Sequence, residues 1–149
     1  MTKFHSDQRI NWLNRAVGFN RVNGLKIVDW TDGHASLSVE LLTNHLNPRG
    51  LVHGGLCATM LDVALAMSGS FSPAPEDLLP GLTLSLTVQY LRPLQLEDGV
   101  VMAEAHRTGG GKSIFYAEGK VLAPDGRITA MATGVFKAGR KSACLKDIG

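Results

Sequence analysis

A chain of 149 residues is long enough for one domain with a real core. Apolar residues make up 44% and charged residues 19%, and the net charge of +2 comes from scattered basic residues, which excludes a nucleic-acid-binding stripe. The two cysteines, Cys57 and Cys144, lie far apart and no CxxC occurs, a pattern that suits a reducing compartment. The N-terminal stretch lacks the apolar segment of a signal peptide. The longest apolar stretch, Gly54 to Phe71, is short for a membrane span and contains Asp62. The expectation is a cytoplasmic protein with no nucleic-acid or membrane partner.

In chain order, Ile10, Leu13 and Val17 recur at helical spacing behind Ser6, so an amphipathic helix is expected over 6–18 with Ser6 as its cap. Leu25 to Trp30 reads as a strand, Asp32-Gly33 as a turn, and Ala35 to Leu41 as a second, alternating strand. Thr43 to Gly50 is a loop. Gly54 to Ser70 is apolar nearly all round, the mark of a helix buried on most sides. A proline-rich connection, Ser72 to Pro80, follows.

Four strands are then predicted: Leu82–Leu91, Val100–Arg107, Ser113–Leu122 and Arg127–Lys137. In the first, Leu84, Leu86, Val88 and Tyr90 take one face, and Thr83, Ser85, Thr87 and Gln89 the other. Turns fall at 97–99, Gly109-Gly110-Gly111 and 124–126. The tail, 139–149, has no periodicity and is expected to be mobile. Strands joined by short turns pair antiparallel, and one long apolar helix against one such sheet gives an α+β architecture. A single domain over 1–149, with its core at about 25–138, is the expectation.

Asp62 interrupts the apolar helix. A carboxylate there either lies on a wet edge, or serves as a base or nucleophile in a pocket. Upstream, His53-Gly54-Gly55 opens the helix, where unsatisfied N–H groups and the helix dipole favour an anion, and glycine permits close approach. Gly54 and Asp62 are eight residues apart, about 12 Å along a helix. One carbonyl cannot touch both. If both serve one substrate they come from two copies of the chain, so the chemistry predicts a homodimer with antiparallel helices.

The stretch NPRGLVHGGLCATMLD resembles the signature of hotdog-fold acyl-CoA thioesterases, in particular the phenylacetate-degradation type. The matching residues are Asn47, Gly50, His53, Gly54, Gly55 and Asp62, and the likeness continues through 86–93 and 128–138. The resemblance implies a hotdog fold, a sheet wrapped around one helix, and hydrolysis of acyl- or aryl-CoA to free acid and coenzyme A. It implies Asp62 as general base or nucleophile and the Gly54 N–H as oxyanion donor. Asn47 would orient water or carbonyl, His53 would support the thioester, and Thr83 would position the water. Substrate contacts would come from Gly55, Ser85, Arg92, Pro93, Arg107, Gly109, Gly110, Gly111, Lys112 and Ser113, the cations meeting the coenzyme A phosphates or pantetheine arm. The acyl group would enter past Leu56 and Met60. Coenzyme A is then part of the substrate, and neither a cofactor nor a metal is expected. The oligomer would be a dimer with interface sites, or a dimer of dimers.

Other readings attach to the same residues. His53 can brace its loop, Asn47 can be a turn residue, Thr83 can be solvent-facing, and Cys57 reads as a small core residue. GGGKS at 109–113 has His106 where a phosphate-binding loop needs glycine, and joins two strands, so nucleotide hydrolysis is rejected. A hotdog hydratase or dehydratase, and a non-catalytic coenzyme A or acyl-thioester binding module, are the competing functions.

Overall fold

A computed structural model describes residues 18–72 and 81–139, together with Ile10 and Asn14. The expected N-terminal helix therefore lies largely outside the described residues, as does nearly all of the 139–149 tail. Ile10 and Asn14 are themselves helical. Asn14 joins that segment to the sheet: its amide donates to the Ile27 carbonyl at 3.1 Å, and its side-chain oxygen accepts from the Ile27 N–H at 2.8 Å.

Six strands form one antiparallel sheet: β1 (Lys26–Thr31), β2 (His34–Glu40), β3 (Leu82–Tyr90), β4 (Val100–Gly110), β5 (Ile114–Leu122) and β6 (Ile128–Lys137), in the order β1-β2-β4-β5-β6-β3. The central helix, Gly54–Ser68, lies against one face and touches every strand. This is the expected α+β arrangement, and the strands fall within a few residues of their predicted limits. The helix stops at Ser68 rather than Ser70, where Gly69 leaves room for the Phe115 ring.

The alternation of each strand explains the wrap. Leu37 and Val39, Val101 and Ala103, Ala117 and Val121, and Ala130, Ala132 and Phe136 are buried against Met60, Leu61, Ala64 and Leu65 of the helix. Many inward positions are small, and two are glycine. A Cβ at Gly119 would stand 2.6 Å from the Glu104 carbonyl oxygen and 2.8 Å from Leu65; one at Gly134 would stand 3.2 Å from Leu65. Helix and sheet meet at a separation that no larger residue allows. At the far end of the helix the Trp30 indole N–H donates to the Met67 carbonyl at 2.8 Å, satisfying a buried donor and one terminal acceptor together.

Two details differ from the predicted strands. The pairing of β3 with β6 shifts between Thr83 and Ser85, so Leu84 is an extra residue. This bulge reverses the alternation: Thr83 shares the helix-facing side with Leu86 and Val88, while Ser85 keeps the outer side. The expected grouping of Thr83 with Ser85 is thereby corrected. Secondly, β4 runs on through Gly110, with Gly109 opposite Tyr116 and Gly110 opposite Phe115. Of the three consecutive glycines only Gly111 lies in the turn, its N–H donating to the Ile114 carbonyl at 2.7 Å. Among the described residues no helix is long and apolar enough to cross a membrane.

Candidate active site

The start of the helix is built by the loop before it. His45 is buried, with Nδ1 accepting from the Leu42 N–H at 3.0 Å and Nε2 donating to the Asn23 carbonyl at 3.1 Å. Its own carbonyl receives the His53 N–H at 2.8 Å. Between them, the Asn47 side-chain oxygen accepts from the N–H groups of Arg49 (2.9 Å) and Leu51 (3.2 Å). Asn47 thus closes its own turn through Oδ1, and its Nδ2 amide is the end with protons to offer a ligand.

His53 is the helix cap: Nδ1 accepts from the Gly55 N–H at 2.8 Å. The Leu56 N–H takes the His53 carbonyl at 2.9 Å. Among the described residues the Gly54 N–H has no acceptor, so the first amide of the helix is available. The Tyr90 hydroxyl donates to the Gly54 carbonyl at 2.7 Å. Beside this end lies a groove of about 360 Å³ lined by Phe19, Asn44, His53, Gly55, Leu56 and Thr59. Met60 is fully buried and lines none of it.

Asp62 projects from the same helix toward β3 and is half-buried. The Thr83 hydroxyl donates to its Oδ1 at 2.6 Å, a short charge-assisted bond. The bulge makes this contact possible, because a regular β3 would turn Thr83 away from the helix. Asp62 is therefore neither sealed in the core nor free: one oxygen is held and the carboxylate stands at the open edge of the sheet. Cys57, one turn into the helix, is a different case. Burial pushes its thiol up to about 11, so it stays protonated at neutral pH and is no nucleophile.

The remaining candidates separate. Ser85 lies on the outer face of the sheet with Thr87, Tyr116, Glu118 and Thr133, away from Asp62. Arg92 and Pro93 are exposed just beyond Tyr90, where the Arg92 N–H meets the Thr129 carbonyl at 3.1 Å. Gly111, Lys112 and Ser113 are exposed at the opposite end of β3, where Ile114, Lys137 and Leu82 lie side by side. Nine strand residues span about 27 Å, so Arg92 and Lys112 of one chain do not share a phosphate. Arg107 is engaged elsewhere. Its Nε donates to the Gly109 carbonyl (3.2 Å), an Nη to Gly111 (3.0 Å), and its guanidinium lies 5.6 Å from the centre of the Phe115 ring. It braces the glycine turn. Lys112, in the same turn, is an exposed cation.

Tyr90 and His45 were not singled out from the sequence. Tyr90 had a signal, being the one polar group in the inward row Leu86, Val88, Tyr90. His45 had none, because its bonds depend on a loop conformation that spacing does not encode.

A model of the thioesterase superfamily matches residues 49–130, from the loop after Asn47 to the start of β6. The chain belongs to the thioesterase superfamily. Its chemistry is accordingly thioester hydrolysis, and its sheet and helix are the hotdog fold. This thioesterase is 32% identical to a candidate esterase of Halobacterium salinarum, over 90% of this chain and 93% of the relative. It is 29% identical to human acyl-coenzyme A thioesterase 13, over 76% and 85%. Among solved structures, a mutant of the phenylacetic acid degradation protein PaaI from Thermus thermophilus superposes with a TM-score of 0.68 at 26% identity, over 80% of this chain and 97% of that one.

Proposed function

We propose that this thioesterase hydrolyses an acyl- or aryl-CoA thioester at two equivalent sites, each shared between the subunits of a homodimer. The observation that carries the reading is the division of the machinery along β3. Asp62 with Thr83 stands at one end, the free Gly54 N–H with Tyr90 at the other, and β3 itself is an unpaired sheet edge. Two edges paired antiparallel about a two-fold axis bring the Asp62 end of one chain to the Gly54 end of the next.

In that site Asp62 either takes a proton from water or attacks the thioester carbonyl itself. Both routes put negative charge on the carbonyl oxygen, where the Gly54 N–H and the helix dipole receive it. Collapse expels the coenzyme A thiolate: in the base route this leaves the free acid directly, and in the nucleophile route it leaves an acyl-Asp62 anhydride that one water then hydrolyses to the acid and the carboxylate. The Asn47 amide and the His53 Nε2 flank the carbonyl. The same pairing sets Arg92 of one chain near Lys112 of the other, which supplies two cations for the coenzyme A phosphates. The name of the human relative supports coenzyme A as the thiol.

The test uses two defective variants. Asp62→Asn removes the carboxylate. Gly54→Pro removes the free N–H at a position proline suits, since His53 already has the extended backbone that precedes proline (ψ 131°); its Cβ, 3.2 Å from the Tyr90 ring, also presses on Tyr90, so the variant disables the Gly54 end as a whole. Each alone is expected to lose about a hundredfold or more in kcat. Co-expressed, they form mixed dimers in which one site is doubly damaged and the other intact, so about a quarter of wild-type activity returns. No recovery from two folded variants would refute the shared site; full activity of Asp62→Asn would remove Asp62 from the chemistry, and a wild type that binds acyl-CoA without turning it over would favour a binding module.

A further inference from the structure

Tyr90 ends the inward-facing row of β3, and its hydroxyl reaches the first carbonyl of the central helix, 2.7 Å from the Gly54 oxygen. The ring lies so near that a Cβ on Gly54 would stand 3.2 Å from Cε1 and 3.3 Å from Cζ. Gly54 has more backbone freedom than any other residue type would have there, at a helix end prone to fraying. Three bonds remove that freedom: Tyr90 on the Gly54 carbonyl, His53 Nδ1 on the Gly55 N–H, and the Leu56 N–H on the His53 carbonyl. Two of the three arise within the helix start itself. Only the Tyr90 bond ties that start to β3, the strand that also carries Thr83.

We propose that Tyr90 is the positioning residue of the oxyanion donor, clamping Gly54 so that its unused N–H keeps a fixed aim. The inference rests on the Gly54–Asp62 reading above. A donor helps the transition state only when it is already in place, so losing the clamp costs turnover rather than substrate binding. Burial and the neighbouring Cys57 push the Tyr90 phenol above its ordinary value, so it remains a donor throughout the range in which the enzyme would be assayed.

The experiment compares wild type, Tyr90→Phe and Asp62→Asn with an acyl-CoA substrate and with a non-hydrolysable acyl-CoA thioether. Tyr90→Phe keeps the ring on Gly54 and loses only the hydroxyl. Its kcat is expected to fall about three- to tenfold with KM unchanged, by the same factor at pH 7 and pH 9. Calorimetry with the thioether should give wild-type affinity and full stoichiometry, which a merely unfolded fraction would not. A kcat fall of less than about threefold, the lower bound set by a lost hydrogen bond, would overturn the proposal; so would a rise in KM and thioether Kd at constant kcat. If Asp62→Asn keeps its turnover, the Gly54–Asp62 reading of the site fails first, whatever Tyr90 does.

Discussion

Thr83→Val is the sharpest probe of the acid end of the site. It keeps the shape of the side chain and the β-branched fit to the strand, and deletes the hydroxyl that donates to Asp62 Oδ1 at 2.6 Å. Hydrogen bonds to charged groups contribute about 1.5–3 kcal/mol. Thr83 is exposed and Asp62 half-buried, so water competes and the lower part of that range applies. About 1.5–2 kcal/mol, expressed in the transition state, is a 13- to 30-fold fall in kcat. The assay is release of free coenzyme A thiol under steady-state conditions, with kcat and KM separated. Thr83→Ser should recover most of the loss. Ser85→Ala, two residues on but across the bulge on the outer face, should change kcat less than about twofold. The reasoning is refuted if Thr83→Val stays within twofold of wild type, or if Ser85→Ala is equally damaging.

Cys57 should resist alkylation. With its thiol raised to about 11, only about one molecule in a thousand is thiolate at pH 8, so iodoacetamide leaves the Cys57 peptide unmodified in native protein and labels it only as the pH nears 11. Rapid labelling at pH 8, read by peptide mass, would mean that the helix is not packed as described. Leu65→Ala should cost about 3–5 kcal/mol in urea unfolding, because Leu65 is fully buried against Gly119 and Gly134, which have no side chains to fill the gap. A loss below about 1.5 kcal/mol would show that the sheet closes onto the helix.

The fold was legible because its signal is repeated. Five of the six strands run seven or more residues, and the turns between them carry glycine or aspartate, so period and punctuation agree. The helix was legible from the reverse property, apolar residues on every side. What stayed hidden depends on single extra residues. Leu84 is as apolar as Leu86, and nothing in LTLSLTVQY marks it as the bulge; yet that one insertion decides whether Thr83 meets Asp62 or solvent. Similarly, Gly109-Gly110-Gly111 reads as a turn by composition, while two of its members complete β4. Arg107 reads as a cation for a ligand, and only the folded turn shows that two carbonyls and the Phe115 ring already occupy it. Local sequence carries residue type and period; it does not carry which partner reaches a group first.

The bulge also bears on the proposed pairing of two β3 edges. The edge exposes Leu82, Leu84, Tyr90 and Leu91, a length of apolar strand that solvent-facing edges ordinarily avoid. Directly opposite residues in an antiparallel pair share a face, so a strand paired with its own copy must match inward residues with inward ones. Centring the axis on Thr87 sets Leu86 against Val88 and Ser85 against Gln89, each pair on one face. Continued without a bulge, that register would put Leu84 opposite Tyr90 and leave Thr83 opposite Leu91, on the outer side. With Leu84 absorbed as the extra residue, Thr83 falls opposite Tyr90 and both look toward the helices. A single irregularity therefore hands Asp62 its hydroxyl partner within one chain and, in the proposed pairing, lets that pair face the Gly54 of the other.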